Sequence, residues 1–333
     1  MNNPMDTACL RFSKTIKMSK YKIVLRTDDE RVIDAVMDGV DPQIARRHEE
    51  WGCKGEVPLE IRLYSGSVPD GLPSKPALPP TATFEEIEFF SLPEGTLIVF
   101  DTETAVMVKN EESVAYGFVS ERHMGLPWIL THHIFYVPLL EMMRMIGAYY
   151  VHSGCVCSGD RCILICGGSG HGKSTLTYAL ARSLYSYMSD DAVFMQMDEG
   201  KLGIFSFPEK IKLDSKSCAY FEEFGDYTDF PGKVEIPLQE TRIGDVAVCG
   251  KPWVLLFPDI TAGGDIGLED IPRSEAMLRL IRQSISLTNS DGIEAHLDLL
   301  KLLCESSRSC ILRIGPDYNG VSELLESALS QSA

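Results

Sequence analysis

The sequence contains no run of lysine and arginine and no uninterrupted apolar stretch long enough to cross a membrane. Its 333 residues include 31 Lys and Arg against 48 Asp and Glu, which gives a net charge of −17. Such a charge repels nucleic acid and anionic lipid. Charged residues, two histidines and a proline interrupt the most apolar stretch, residues 128–151. We therefore expect neither nucleic acid nor a membrane as a partner.

Several other features are also missing. The N-terminal twenty residues lack the apolar segment of a signal peptide, which predicts a cytoplasmic protein. In that compartment the ten cysteines are expected as reduced thiols and not as a disulfide framework. A repeat of fixed period and a long block of like charge are both absent, which excludes a solenoid and a charged tail. The 44% hydrophobic content is that of an ordinary globular protein.

The sequence pattern changes near residue 125. Before this point, β-branched and aromatic runs predict strands at residues 21–26, 59–64, 86–90, 96–101 and 105–109. One helix is predicted over residues 29–37, and five prolines predict a loop over residues 68–81. Residues 1–125 are therefore interpreted as a small strand-rich α+β domain of unknown role.

Residues 126–333 alternate helical and strand-like patterns, which is typical of an α/β domain. Residues 128–146 are predicted to be helical with a break at Pro138. Residues 148–157 and 161–166 are predicted to form a hairpin across Gly159 and Asp160. Further strands are predicted at residues 253–257 and 310–314, and further helices at residues 275–287 and 293–304.

Residues 167–174 match the phosphate-loop pattern G-x-x-x-x-G-K-[ST] at every fixed position. A strand-like run (162–166) precedes them and a helical pattern (175–184) follows, which is the context that this motif requires. Backbone N–H groups would surround phosphate oxygens, Lys173 would reach the β and γ phosphates, and Ser174 would offer its hydroxyl to Mg²⁺. The alternative is a glycine-rich turn that binds nothing. The predicted nucleotide-binding residues are Gly167, Gly168, Ser169, Gly170, His171, Gly172, Lys173, Ser174 and Thr175.

Two adjacent carboxylates, Asp190 and Asp191, begin seventeen residues after Lys173, at the end of a short apolar run. A helix followed by a return strand beside the first would bring both to the phosphate loop. One could then hold Mg²⁺ while the other accepts the proton of an attacking hydroxyl, as phosphoryl transfer requires. The alternative is a solvated turn, where aspartate is common.

His152 lies on the first strand of the predicted hairpin, where a histidine by itself is more often a packed core residue than a catalyst. The order of features is more informative. A histidine strand, a tight hairpin, a phosphate loop, a helix and a strand ending in Asp-Asp resemble the catalytic domain of the HPr kinase/phosphorylase family, bacterial protein-serine kinases related in fold to phosphoenolpyruvate carboxykinase. The resemblance covers residues 148–193. Downstream, residues 233–237 followed by Arg242 look like the family's segment that supplies a catalytic arginine.

This resemblance implies an α/β fold with a compact mixed-sheet phosphate-loop kinase core in residues 126–333, preceded by the α+β domain of residues 1–125. It implies a kinase that uses ATP, or another nucleoside triphosphate, with Mg²⁺. The γ-phosphoryl group would pass to a serine, threonine or small-molecule hydroxyl, on an acceptor that the sequence does not identify. Homo-oligomerisation is implied by the resemblance alone.

The resemblance also assigns roles to individual residues. Asp190 would act as the base, while Ser174 and Asp191 would hold Mg²⁺. His152 would orient the base or a phosphate oxygen, and Arg242 would neutralise charge in the transition state. A solvated surface arginine is the alternative for Arg242.

Two departures from the family leave other functions open. The family's Glu-Ile-Arg-Gly signature is absent, since the chain has Glu209 and Lys212 within the sequence FPEKIK, and Gln239 stands where an arginine is expected. One alternative is therefore a nucleotide-binding regulatory module of the same fold without transfer. Another is a conventional P-loop ATPase with Asp259 as its magnesium carboxylate.

Four cysteines, Cys155, Cys157, Cys162 and Cys166, fall close together around the predicted hairpin. Their spacing is not a usual structural zinc spacing, and alternation along paired strands places such residues at packed positions. We interpret them as buried structural thiols.

Overall fold

The computed structural model describes residues 7–51, 56–66, 75–109, 112–168, 170–227, 232–260, 266–284, 290–315, 318 and 320–330. The chain forms two compact units. Unit 1 comprises residues 1–40, 52–148 and 286–295, and unit 2 comprises residues 41–51, 149–285 and 296–333. No helix of the described residues is long and apolar enough to cross a membrane.

The helices are α1 (Glu30–Gly39), α2 (Pro42–Glu50), α3 (Glu121–Met124), α4 (Pro127–Ile129), α5 (Tyr136–Met145), α6 (Lys173–Ala181), α7 (Ser215–Cys218), α8 (Arg273–Ile281), α9 (Ser290–Ser306) and α10 (Val321–Ser330). The strands are β1 (Phe12–Met18), β2 (Tyr21–Thr27), β3 (Val57–Ser65), β4 (Ala82–Phe84), β5 (Ile87–Leu92), β6 (Gly95–Val99), β7 (Ala105–Lys109), β8 (Val114–Val119), β9 (Ala148–Ser158), β10 (Arg161–Cys166), β11 (Ser186–Ser189), β12 (Ala192–Asp198), β13 (Lys201–Phe205), β14 (Ile211–Asp214), β15 (Lys233–Ile236), β16 (Cys249–Ile260), β17 (Gly267–Asp270) and β18 (Arg308–Ile314).

Unit 1 is built on a sheet with strand order β1-β2-β3-β8-β7-β6-β5-β4. The strands β2, β3 and β8 are parallel neighbours, and the remaining pairs are antiparallel. Helix α1 begins after Asp29, whose carboxylate accepts a hydrogen bond from the N–H of Arg31. The strand-rich character predicted for this region is confirmed. Residues 68–74 of the predicted proline-rich loop lie outside the described residues, and residues 75–81 form neither helix nor strand.

The structure differs from the sequence predictions in the first 125 residues in both its helices and its strands. Only one helix is predicted there, but α3 lies at the end of this region and α2 follows α1 directly. The signals at the start of α2 are recognisable in the sequence, because the Asp41 carboxylate accepts from the N–H groups of Gln43 and Ile44, and Pro42 occupies the first turn. Strands β1, β4 and β8 were not predicted either.

The predicted boundary at residue 125 also differs from the observed units. Residues 126–148 belong to unit 1, because α5 packs on β7 and β8. The helical conformation continues through Pro138, where a break was predicted. The departure from α-helix lies just before it, in a π-helical segment, Leu130–Phe135. A wider turn there accommodates a proline that has no N–H to donate and that crowds the preceding turn.

Unit 2 contains a mixed sheet with strand order β10-β9-β12-β13-β16-β18-β17. Strand β16 is parallel to β10 and to β18 and antiparallel to β13. Because β16 pairs with β10 as well as with β13, the strands β10, β9, β12, β13 and β16 form a closed ring. The predicted hairpin is confirmed: Ser158 lies opposite Arg161, and Gly159 takes the left-handed conformation with φ of 61°. Strands β14 and β15 form a separate antiparallel pair.

Alternation along β10 sends its side chains into two different cores. Ile163 and Ile165 join the core beneath α6, which also contains Leu176 and Tyr178. Cys162, Leu164 and Cys166 point to the opposite face, where α8 and α9 contribute Leu280 and Leu300. The strand that leads into residues 167–174 is thus buried on both faces.

Helix α6 packs closely on β9 because residue 154 is glycine. A Cβ atom at Gly154 would lie 2.0 Å from Thr177 Oγ1. We expect Gly154→Ala to lower the free energy of unfolding by about 1–3 kcal/mol, since α6 must shift to admit the methyl group. Gly203→Ala on β13 is the matched control, because its Cβ would have only an ordinary contact at 3.7 Å. Urea unfolding of both variants is the measurement, and equal effects would contradict the packing argument.

Candidate functional site

Residues 167–174 connect β10 to α6. Gly170 and Gly172 both have positive φ angles, of 79° and 73°, which only glycine adopts without strain. The N–H of His171 donates to the carbonyl of Gly168 at 3.2 Å, and the N–H of Gly167 donates to Gln283 Oε1 at 3.1 Å. Ser169 lies outside the described residues. The predicted sequence of strand, glycine-rich loop and helix is therefore present.

Lys173 is the first residue of α6, and its side chain turns back over the loop. Its Nζ donates to the carbonyl oxygen of Gly168 at 3.3 Å. Burial lowers the pKa of Lys173, and the nearby negative charge of Asp191 opposes that effect. The lysine therefore places a partly desolvated positive charge inside the loop, close to the acidic pair (Asp190 and Asp191).

Strand pairing explains how the acidic pair returns to the loop. Strand β9 is antiparallel to both β10 and β11, so β10 and β11 run in the same direction and end at the same edge. The acidic pair follows β11 directly. Ser174 Oγ donates to the main-chain oxygen of Asp190 at 3.5 Å, and the N–H of Ser153 on β9 donates to that of Asp191 at 3.0 Å. The loop, β9 and the acidic pair therefore meet at one edge of the sheet.

Asp190 is buried, with 1% of its surface exposed. Its Oδ1 accepts from the Tyr187 hydroxyl at 2.9 Å, and both carboxylate oxygens lie 3.3 Å from the N–H of Lys212. Burial, followed by the negative charges of Asp191 and Glu209, raises the pKa of Asp190 to about 6. This carboxylate holds neighbouring groups in place and is not open to an acceptor.

Asp191 is more exposed than Asp190 and lies closer to positively charged groups. Its side chain is 27% exposed, and Oδ1 lies 3.2 Å from His152 Nδ1. Burial opposes its charge, but the hydrogen bond with His152 and the charges of Lys233 and Lys212 hold the pKa of Asp191 well below its usual range. The two ammonium groups each lie 3.9 Å from one of its oxygens. His152 therefore contacts Asp191, whereas the resemblance predicted that it would orient Asp190 or a phosphate oxygen.

Glu209, Lys212 and Lys233 also reach the site, although the sequence predicted no role for any of them. Lys212 Nζ lies 2.5 Å from Glu209 Oε2, and both residues are buried. Burial opposes the charge of Lys212, but Glu209 and Asp191 raise its pKa above the usual value. Residues 207–212, which lack the Glu-Ile-Arg-Gly signature, thus still bring a carboxylate and an ammonium group to the acidic pair. The spacing of residues around the loop does not predict these contacts, because β14 and β15 follow the loop by dozens of residues in the sequence.

Arg242 and Asp259 lie in other surroundings. The N–H of Arg242 donates to the Tyr178 hydroxyl at 3.1 Å, and its guanidinium lies 3.7 Å from Glu223. Asp259 is exposed near the carboxyl end of β16, the parallel neighbour of β10. The next residue, Ile260, lies against Gly172. Because adjacent strand residues point to opposite faces, Asp259 points away from the loop.

The four cysteines near the hairpin are buried on one face of β9 and β10. Among the residues that the structure describes, the sulfur atoms of Cys155, Cys157 and Cys162 lie within 4.8 Å of one another. Cys157 and Cys162 are cross-strand partners with their sulfurs 3.0 Å apart. Burial raises the pKa of Cys155 well above its usual value, whereas hydrogen bonds with Cys155 and Cys162 lower the pKa of Cys157 below its usual value.

The chain was compared with known families, curated proteins and solved structures. No protein-family model matches the chain, and no curated protein matches its sequence. Among solved structures, the HPr(Ser) kinase/phosphatase from Coxiella burnetii is similar over 55% of this chain and 89% of that chain, with 13% sequence identity and a TM-score of 0.32.

The raised pKa of Asp190 predicts how stability depends on pH. Its folded-state value of about 6 exceeds the ordinary 3.8, so its contribution is complete below the ordinary value and is lost as pH rises through about 6. Relative to Asp190→Asn, we expect the wild-type free energy of unfolding to fall by about 2 kcal/mol between about pH 4 and pH 7. Urea unfolding at several pH values measures this difference. A difference independent of pH would contradict it, and exposed Asp259→Asn serves as the control.

The cysteine cluster yields a second prediction. Since its thiols are packed in a core and their spacing is not a usual structural zinc spacing, we expect substoichiometric zinc in protein purified without chelator. Elemental analysis is the measurement. One tightly held zinc per chain, lost in Cys157→Ser, would instead make the cluster a metal site.

Proposed function

We propose that this chain binds a Mg²⁺-nucleoside triphosphate at residues 167–174 and transfers its γ-phosphoryl group to a hydroxyl. The observation that carries the proposal is the contact of Ser174 Oγ with the main chain of Asp190, which joins the phosphate loop to the acidic pair. A loop with inward N–H groups and a lysine binds phosphate, and a carboxylate beside it can receive a proton.

Asp191, and not Asp190, is the base in this proposal, because Asp191 is the carboxylate with exposed surface. The acceptor oxygen attacks the γ-phosphorus, the bond from that phosphorus to the bridging oxygen breaks, and the hydroxyl proton passes to Asp191. His152 orients the carboxylate through its 3.2 Å contact. The charges of Lys173, Lys212 and Lys233 offset the negative charge on the phosphoryl oxygens.

Mg²⁺ fits this arrangement, because the Ser174 hydroxyl is a hard oxygen donor next to the loop that would hold the phosphates. When bound, Mg²⁺ would neutralise charge on the phosphate oxygens. Ser174 would hold it together with those oxygens. With Asp191 as the base, the predicted role of Asp191 as a Mg²⁺ ligand becomes an alternative, and an experiment can distinguish the two roles.

A second candidate is nucleotide binding without transfer. The observation that favours it is the position of Lys212 and Lys233, each 3.9 Å from Asp191. Their charges hold the pKa of Asp191 low, which weakens it as a base. The ATPase that depends on Asp259 is not proposed, because this side chain points away from the loop.

Asp191→Asn tests the role of the base. We expect turnover of Mg-ATP to fall by roughly 10²- to 10⁴-fold while affinity for ATP and the Mg²⁺ requirement stay near wild type. A raised Mg²⁺ requirement would make Asp191 a metal ligand instead. Slow release of inorganic phosphate is the assay, since water can replace the unknown acceptor.

Lys173→Ala and Asp259→Asn are the controls for this experiment. The first should abolish nucleotide binding in calorimetry, and the second should leave turnover unchanged. Binding without any turnover in the wild type would favour the regulatory module. Unchanged affinity in Lys173→Ala would refute the proposed nucleotide site.

A further inference from the structure

Two side chains lie directly against the last glycine of the phosphate loop. A Cβ atom at Gly172 would lie 2.6 Å from Ile260 Cδ1 and 2.9 Å from the Tyr318 hydroxyl. Ile260 is the last residue of β16, and Tyr318 follows β18. The loop is therefore bordered at Gly172 by an aromatic side chain, Tyr318, and an aliphatic one, Ile260.

Tyr318 is fixed in this position by contacts to the loop's own helix. A side-chain hydrogen bond links its hydroxyl to Thr175 on α6, and Thr175 Oγ1 lies 2.7 Å from Ser217 Oγ. The ring of Tyr220 meets the Tyr318 ring edge-on, with centroids 5.5 Å apart and planes at 83°. An edge-to-face pair of this kind is a favourable aromatic geometry.

The apolar side chains around this pair are unusually exposed. Tyr220 is 51% exposed, Ile260 43% and Ile266 36%. Ile266 lies near the same segment, because a Cβ at Gly320 would be 3.9 Å from its Cδ1. Apolar side chains gathered in one exposed place mark a surface that contacts a ligand or partner. Here that surface borders the loop proposed to bind phosphate.

We propose that Tyr220, Tyr318, Ile260 and Ile266, the base surface, bind the nucleobase of the nucleotide whose phosphates occupy the loop. This inference rests on the proposed function. A nucleotide joins an anionic phosphate chain to a flat aromatic base, and here the lysine-bearing loop is continuous with aromatic and aliphatic side chains. Aromatic side chains bind bases by stacking, which does not require a particular base edge.

Calorimetry of the full chain with Mg-ATP and with Mg-tripolyphosphate separates base binding from phosphate binding. Tyr220 is the residue to change, because it is half-exposed and its substitution leaves the core intact. We expect Tyr220→Ala to weaken ATP binding about 10- to 100-fold and to leave tripolyphosphate binding unchanged. Tyr220→Phe keeps the ring and should retain ATP affinity within about twofold.

Trp128→Ala is the matched control, since this aromatic residue of unit 1 is 61% exposed and should not affect either ligand. Unchanged ATP affinity in Tyr220→Ala, or equal weakening of both ligands, overturns the base surface. If wild-type protein binds tripolyphosphate as tightly as ATP, the base surface is also overturned. The proposed phosphate site would still stand in that case. Failure of both ligands to bind wild-type protein overturns the proposed function itself.

Discussion

The pairing of β9 with two strands of the same direction is the constraint on which the candidate site depends. Because β10 and β11 are both antiparallel to β9, the loop after one and the acidic pair after the other reach the same edge of the sheet. His152 lies on β9 itself and therefore also reaches this edge. Gly154, two residues further along, leaves the space in which α6 packs.

The resulting cluster is strongly charged and largely buried, so its members must compensate one another. Asp190, Asp191 and Glu209 supply negative charge, and Lys173 and Lys212 supply positive charge within the same region. Burying such groups without partners would cost several kcal/mol each, on the order expected for uncompensated ions. The two adjacent aspartates have opposite pKa shifts, because His152, Lys212 and Lys233 stabilise the charge of Asp191 whereas burial dominates at Asp190.

Features that depend on residues close together in the sequence were predicted correctly. The hairpin, the strand before the loop and the helix after it were correct because turn residues, glycine spacing and periodicity lie within a few residues of one another. The identity of the exposed aspartate was not predictable, since it depends on an irregularity in the pairing of β11 near Tyr187 and Ser189. Lys212 and Lys233 were missed because a separate strand pair carries them to the site.

The placement of α2 has a consequence for how the chain folds during synthesis. This helix belongs to unit 2, and its capping residue Asp41 accepts a hydrogen bond from the N–H of Leu238, 197 residues later. At about 5–20 residues per second, a ribosome takes on the order of 10–40 s to make that intervening segment. Helix α2 therefore emerges long before its partners, while most of unit 1 is made in between. Ile44 and His48 are the buried residues of α2, so most of its surface is polar and tolerates water before unit 2 is complete.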